Sequence, residues 1–488
     1  MSIKISNGVN LNKLKNIFDH QAKSVNKAAF VVASTSFLSA LLGLFRDRLL
    51  AGRFGAGDEL DIYYTAFRIP DFLTMVLIMG AISAAITPIF SQHLVRSREQ
   101  AWRFLANLLN LFLFILMVAS LILIIFVPQL IQLIAPGFSS EKKELTILLT
   151  RIMFLSPFLL GIGNILSSVL CVFRRFLIAS LTPIVYNFGI IFGILFFVPI
   201  MGLKGLAWGV VFGGVLYVLI QLPALFKLGF NPQKIFNFRD ESFKKVVKLS
   251  IPRAIGLAAS QINLVVMTAI ASTLASGNIA IFSLADNLSR PLLTFVGISF
   301  STAAFPSLAL AFSKQNKDKF FQIFSETFSK IIYFILPLSF LLLILSDFAV
   351  RIILKVRKFS LIDSHLTAAC LGMFALGLFA QSLVLLLAKV FYAVQNTKIP
   401  AIASIVTMLV NIPLALLFVR LFSFQNPFQE IFIKFLNLQN LKNISIIGLP
   451  LAFSISAIIQ FFILFILFHQ KKRNFFLLKT GETQKVVN

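Results

Sequence analysis

Residues 104–134 read FLANLLNLFLFILMVASLILIIFVPQLIQLI, without a single charge. A bilayer core about 30 Å thick needs about 20 consecutive apolar residues if they are helical, and a barrel strand needs only about 9–11. This run is far too long for a strand and shows no two-residue alternation, so it reads as a membrane-spanning helix. Comparable apolar runs lie on either side of it, at 28–50, 62–93, 146–172, 178–199, 203–226, 246–275, 279–311, 327–354, 365–393, 399–421 and 443–469. With 104–134 they make twelve. Composition agrees: of 488 residues, 58% are hydrophobic, 13% are charged and 56 are Phe. A soluble domain is nearer about 45–50% apolar and about 25% charged. The expected fold is therefore an all-α polytopic membrane protein of about 12 transmembrane helices, which excludes a soluble enzyme, a disordered chain and a nucleic-acid-binding domain.

Net charge is +26, from 44 Lys and Arg against 18 Asp and Glu. In a membrane protein such an excess marks cytoplasmic loops and contact with anionic lipid headgroups, so membrane lipids are the expected partners and nucleic acid is not. The basic clusters fall in alternate loops: Lys13 to Lys27, Arg96 to Arg103, Arg174–Arg175, Lys244 to Lys248, Lys314 to Lys319 and Lys471 to Arg473. The first loop between them is acidic, with Asp58, Glu59 and Asp61. Both termini are accordingly expected in the cytoplasm. The cluster Lys355, Arg357 and Lys358 runs against this pattern, because the same topology puts it outside. Cys171 and Cys370 imply no disulfide framework, and the four His residues lack zinc-ligand spacing, so neither metal nor cofactor is expected. The first apolar run follows a basic segment and has no small-residue cleavage site, so it reads as an uncleaved helix.

The chain resembles itself. Ser83, Ala85 and Pro88 recur 218 residues on as Ser301, Ala303 and Pro306, and Ala179, Ser180 and Asn187 recur 224 residues on as Ala403, Ser404 and Asn411. One six-helix set is thus read as used twice. The expected organisation is a cytoplasmic segment at 1–27, a first lobe at 28–226, a cytoplasmic linker at 227–245, a second lobe at 246–469 and a basic cytoplasmic tail at 470–488. Transporters built from such repeats bind substrate near the midplane, at the repeat interface.

Charges within spans are the informative residues, each costing about 2.5–3.5 kcal/mol at a helix centre on insertion scales. Ser39, Gly43 and Arg46 share one helix face, followed by Asp47. A solvated helix end is the alternative for Arg46 to Arg48. The second span carries Asp61, Arg68 and Asp71 on one face; Arg68 either faces a ligand or pairs with Asp71. In the second half, Asp286, Asn287 and Arg290 occupy the repeat of that span, and Arg253 follows Pro252. Arg253 is either a site residue or an interfacial anchor. Arginines converging on an inter-lobe cleft suit a phosphate or diphosphate, whose oxygens match the guanidinium fork. No constellation for catalysis emerges, so the chain is expected not to be an enzyme.

The stretches GLFRDRLLAGRFGAGDELD (43–61), AFRIPD (66–71) and GAISAAITPIFS (80–91) resemble the signature of the MurJ/MviN lipid II flippase family. APGF (135–138), LAWGVVFGGVLYVLIQLP (206–223), SQINLVV (260–266), LASG (274–277) and YAVQNTKIP (392–400) agree in order and spacing. The resemblance covers nearly the whole chain. It implies two six-helix lobes around a central cationic cavity, in a bacterial cytoplasmic membrane. It also implies transport of an undecaprenyl-diphosphate-linked disaccharide-peptide from the inner to the outer leaflet by alternating access. Arg46 and Asp47 match the family's Arg-Asp pair, Asp61 its acidic residue at the start of the second helix, and Arg68 a basic position. Ser39 matches a serine that the family usually follows with arginine, where this chain has Ala40. Thr74 and Met79 stand in place of an arginine and a glutamate, and Asn287 in place of the arginine after Asp286. Family members also commonly carry two further helices, whereas this sequence ends after the twelfth run. Arg290, one turn after Asn287, and Arg253 are the expected replacements for the lost cations. Two other readings stand beside the lipid II flippase: transport of another polyprenyl-diphosphate glycan, and a non-transporting scaffold for proteins of cell-wall synthesis.

Overall fold

A computed structural model describes residues 25–471 except 437, 440 and 442; the side chains of 25–30, 77–85, 252 and 253 fall outside the description as well. The described chain is helical almost throughout. Ten of its helices are long and apolar enough to cross a membrane. The first apolar run is also helical, Val25–Phe54, and the second runs as Asp58–Leu73, a π-turn at Thr74–Met79, and Gly80–Arg96. Many large apolar side chains face outward, such as Ile125 at 69% exposure and Leu133 at 70%. In water this would be costly, and in a bilayer it is the lipid-facing surface. The protein is a multi-pass membrane protein.

Contacts divide the chain into two compact units. One comprises the residues up to Arg46, Ile69–Val127 and Leu148–Ala254; the other comprises Asp47–Arg68, Pro128–Ile147 and the residues from Ile255 on. The first unit packs Phe90, Trp102, Leu105, Leu166 and Ile178 into one apolar core. Its helices Phe176–Phe192 and Lys204–Leu219 approach until backbones touch: a Cβ at Gly189 would strike Gly213, and one at Gly193 would strike Gly209. Small residues at four-residue spacing permit that approach, as membrane helix pairs require. The second unit has its own core around Leu308, Ile331, Leu386, Phe391 and Leu464. There helix Leu361–Ala393 packs on helix Gly448–Lys471, with Gly377 against Ser454.

The repeat is visible in both units. A π-turn follows Pro70 at Thr74–Met79, and another follows Pro291 at Leu293–Ile298. A proline removes one backbone donor, and the π-turn absorbs the irregularity. In the first unit Asn187 bonds Ser39, 148 residues earlier. In the second unit the recurrent residue Asn411 bonds Asn263, also 148 residues earlier, at 2.8 Å. The same helix pair is therefore stitched at the same register in each half.

Loop 355–358, whose cations ran against the charge pattern, is held by its backbone. The Lys358 amide donates to the Gly52 carbonyl at 3.3 Å, and Arg48 donates to the carbonyls of Ile352 and, at 2.9 Å, Ile353. The loop thus lies at the same end of the unit as the end of the first helix.

Candidate functional site

The expected site residues fall into three groups. In the first unit, the Ser39–Arg46 face is completed by Asn187 of the fifth span. Arg46 Nη1 donates to Asn187 Oδ1 at 3.1 Å. Asn187 Nδ2 in turn donates to the Pro183 carbonyl at 3.2 Å and to the Ser39 carbonyl and hydroxyl at 3.4 Å. Asn187 is buried, so its amide orientation is set by these bonds and passes that order to the guanidinium. Unlike a carboxylate, an amide takes no charge from the fork it positions. Asp71 is half-buried in the same unit. Thr74, at a position the family fills with arginine, turns its hydroxyl back onto the Pro70 carbonyl at 2.9 Å, where the π-turn begins.

The second group gathers the early residues that belong to the second unit. Asp47 is 2% exposed. Arg68 Nε donates to Thr268 Oγ1 at 2.7 Å, and its Nη2 to Ser283 Oγ at 3.4 Å. Asp61, also 2% exposed, accepts the backbone amides of Gly277 at 2.7 Å and Ala280 at 2.8 Å, one on each oxygen. Those donors open helix Asn278–Leu292, whose first amides have no partner within the helix. Asp61 is thus its N-cap, supplied from 216 residues away. Gly277 itself sits at φ +88°, and a Cβ there would collide with the Ala56 carbonyl. Only glycine lets the two turns close to this distance. Beside them Asp58 accepts the Ser276 hydroxyl and pairs with Lys142. Partial burial pushes the Asp58 carboxyl up, and Lys142 with Ser276 more than offsets this, leaving it below the ordinary carboxylate range.

The third group is Asp286 with Arg290. Both Nε and Nη2 of Arg290 donate to Asp286 Oδ2, at 2.9 and 2.6 Å, while the Arg290 side chain stays 55% exposed. Asn287 is half-buried and has no hydrogen-bond partner among the described residues. The side chain of Arg253 lies outside the described residues. Among the described residues no group of three or more His, Cys, Asp or Glu is placed to hold a metal ion.

The structure therefore joins Ser39 to Arg46 through Asn187, Asp286 to Arg290, and Asp61 and Arg68 to the 268–283 segment. Asn187, Thr268 and Ser283 bond Arg46 or Arg68 and were not among the candidates. For Asn187 a signal existed, since it recurs as Asn411.

Comparison with known proteins bears on this arrangement. The family model described as lipid II flippase MurJ matches residues 50–485. A probable lipid II flippase MurJ of Buchnera aphidicola subsp. Acyrthosiphon pisum (strain APS) is 30% identical over 390 residues, covering 79% of this chain and 76% of the relative. The lipid II flippase MurJ of Burkholderia cenocepacia (strain J2315) is 29% identical over 404 residues, covering 79% and 76%. Among solved structures, a lipid II flippase MurJ in an inward closed conformation superposes with a TM-score of 0.73 at 26% identity, covering 92% of this chain and 90% of that one. An inward-facing multidrug-resistance MATE family transporter of the MOP superfamily reaches 0.72 at 14% identity, covering 93% and 99%. At that identity the second likeness speaks for the fold alone.

Proposed function

This chain belongs to the lipid II flippase MurJ family, and on that premise we propose that it carries lipid II from the inner to the outer leaflet of a bacterial cytoplasmic membrane, with both termini in the cytoplasm. It acts as a transporter and not as an enzyme. Proteins of cell-wall synthesis are its natural partners, since they make and consume this lipid.

The observation that carries the site assignment is the Ser39–Asn187–Arg46 cluster. A guanidinium within an apolar helix persists where it meets an anion or water. Here a buried amide holds the fork at 3.1 Å, which prepares it for bidentate contact with diphosphate oxygens. Arg290 is the diphosphate contact proposed for the second unit, taken by itself. It lies three residues beyond Asn287, along nearly the same helix face, and Asp286 steadies its fork. Asp61 and Arg68 serve the same function indirectly, by tying the outer ends of the early helices to the 276–283 turn. The membrane potential is a reasonable driver, because one charge moved through 100 mV is worth about 2.3 kcal/mol.

The test is binding of undecaprenyl diphosphate and lipid II to purified Arg46→Ala and Arg46→Lys protein. Both variants are expected to fold and insert, Arg46→Ala to lose both ligands, and Arg46→Lys to rescue little, because a point charge lacks the fork. Wild-type affinity in Arg46→Ala would reduce Arg46 to an interfacial anchor.

A further inference from the structure

The second unit contains a cavity of about 420 Å³, within the range of sites that take small organic ligands. Its walls come from five spans of that unit, and they are unusually rich in primary amides for membrane helices: Gln261, Asn263, Gln381, Asn411 and Gln460 all line it. Asn263, Asn411 and Gln460 are tied into bonds with each other or with serine hydroxyls. Gln261 and Gln381 have no hydrogen-bond partner among the described residues, although each lies half-buried within a membrane-spanning segment. An unpaired amide there is unfavourable unless something polar enters the cavity to meet it. Each amide can donate and accept at once. Three aromatic rings also line it, with centroids 5.3 Å apart for Phe282 and Phe374 and 5.7 Å apart for Phe374 and Phe453. The charges on the wall are Asp286 and Arg290, and they cancel.

A site with free amides, neighbouring hydroxyls, aromatic faces and no net charge fits a neutral ring that carries hydroxyl and amide groups on its edge and C–H bonds on its face. It does not fit a bare hydrocarbon tail, and Arg290, 55% exposed on its wall, is the group there that can meet a diphosphate. We infer that this cavity is a saccharide subsite, which takes an N-acylated sugar ring of the transported lipid while Arg290 at its wall takes the diphosphate. The inference rests on the flippase reading and adds the group that would let the protein discriminate a glycan-bearing lipid from its bare carrier.

The test compares two probes, lipid II and undecaprenyl diphosphate, bound to full-length protein in lipid nanodiscs. The variants are the double substitution Gln261→Leu, Gln381→Leu, and separately Ala388→Phe, which fills the cavity from the helix that carries Gln381. Loss of two hydrogen bonds is expected to weaken lipid II roughly tenfold or more, with undecaprenyl diphosphate unchanged. Thermal unfolding checks that each variant is folded; should the double variant not fold, Ala388→Phe decides alone. Free disaccharide should compete for lipid II on wild-type protein and not on the variants. Variants that bind both lipids as wild type does, or that lose both equally, overturn the subsite and leave the flippase reading standing. Wild-type protein that binds neither lipid overturns both.

Discussion

Replacing Asp61 by Ala removes the acceptor for two buried amides and leaves Gly277 and Ala280 without partners. Hydrogen bonds to a charged group are worth about 1.5–3 kcal/mol each, and those of Asp61 are short, at 2.7 and 2.8 Å. Relief of the desolvation that a 2%-exposed carboxylate suffers offsets part of this. A net loss of about 2–4 kcal/mol is expected, at the upper end of or above the range for N-cap removal. Local opening of this junction within the second unit is what exposes Ser283. The variant should therefore raise the ratio of open to closed junction by roughly 30- to 1000-fold, at about 1.4 kcal/mol per tenfold. The assay is maleimide labelling of Ser283→Cys, which is 6% exposed in the closed junction, with Cys171 and Cys370 replaced. Labelling in membranes should be slow with Asp61 and fast with Asp61→Ala. Unchanged labelling together with weakened lipid II binding would refute the reasoning, and would make Asp61 a ligand contact instead.

Gly277→Ala is expected to open the same junction, because φ +88° and the Ala56 carbonyl both exclude a Cβ; combined with Asp61→Ala it should add little, since both break one contact, and the labelling rate of the double variant checks this. The double variant Asp286→Ala, Arg290→Ala leaves no unpaired charge, so a purely structural ion pair predicts mild effects. The diphosphate role predicts lost binding, rescued by Asn287→Arg with Arg290→Ser. Cysteines placed singly at Lys355 and at Lys244 should label from opposite sides of the membrane, with Lys355 outside; labelling from the same side would contradict the topology.

The apolar runs carried the all-helical fold openly, because nothing in a bilayer hides hydrophobic periodicity. The repeat was legible too, as Asn187 and Asn411, though only the fold shows that each reaches back 148 residues to the first helix of its half. The Ser39–Arg46 and Asp286–Arg290 pairs follow from helical spacing. Asp61 was legible as a costly acidic residue but not as a cap, because its partners lie 216 and 219 residues away. Gln261 and Gln381 gave no pattern, since they sit on different spans and share only a cavity.

Lipid II measured separately in the two leaflets, in cells that depend on this chain for survival, tests the central claim most directly. With the wild-type chain present, lipid II should reach the outer leaflet. On depletion, or with Arg46→Ala as the sole copy inserted at normal level, it should accumulate in the inner leaflet. An unchanged distribution on depletion would contradict the account.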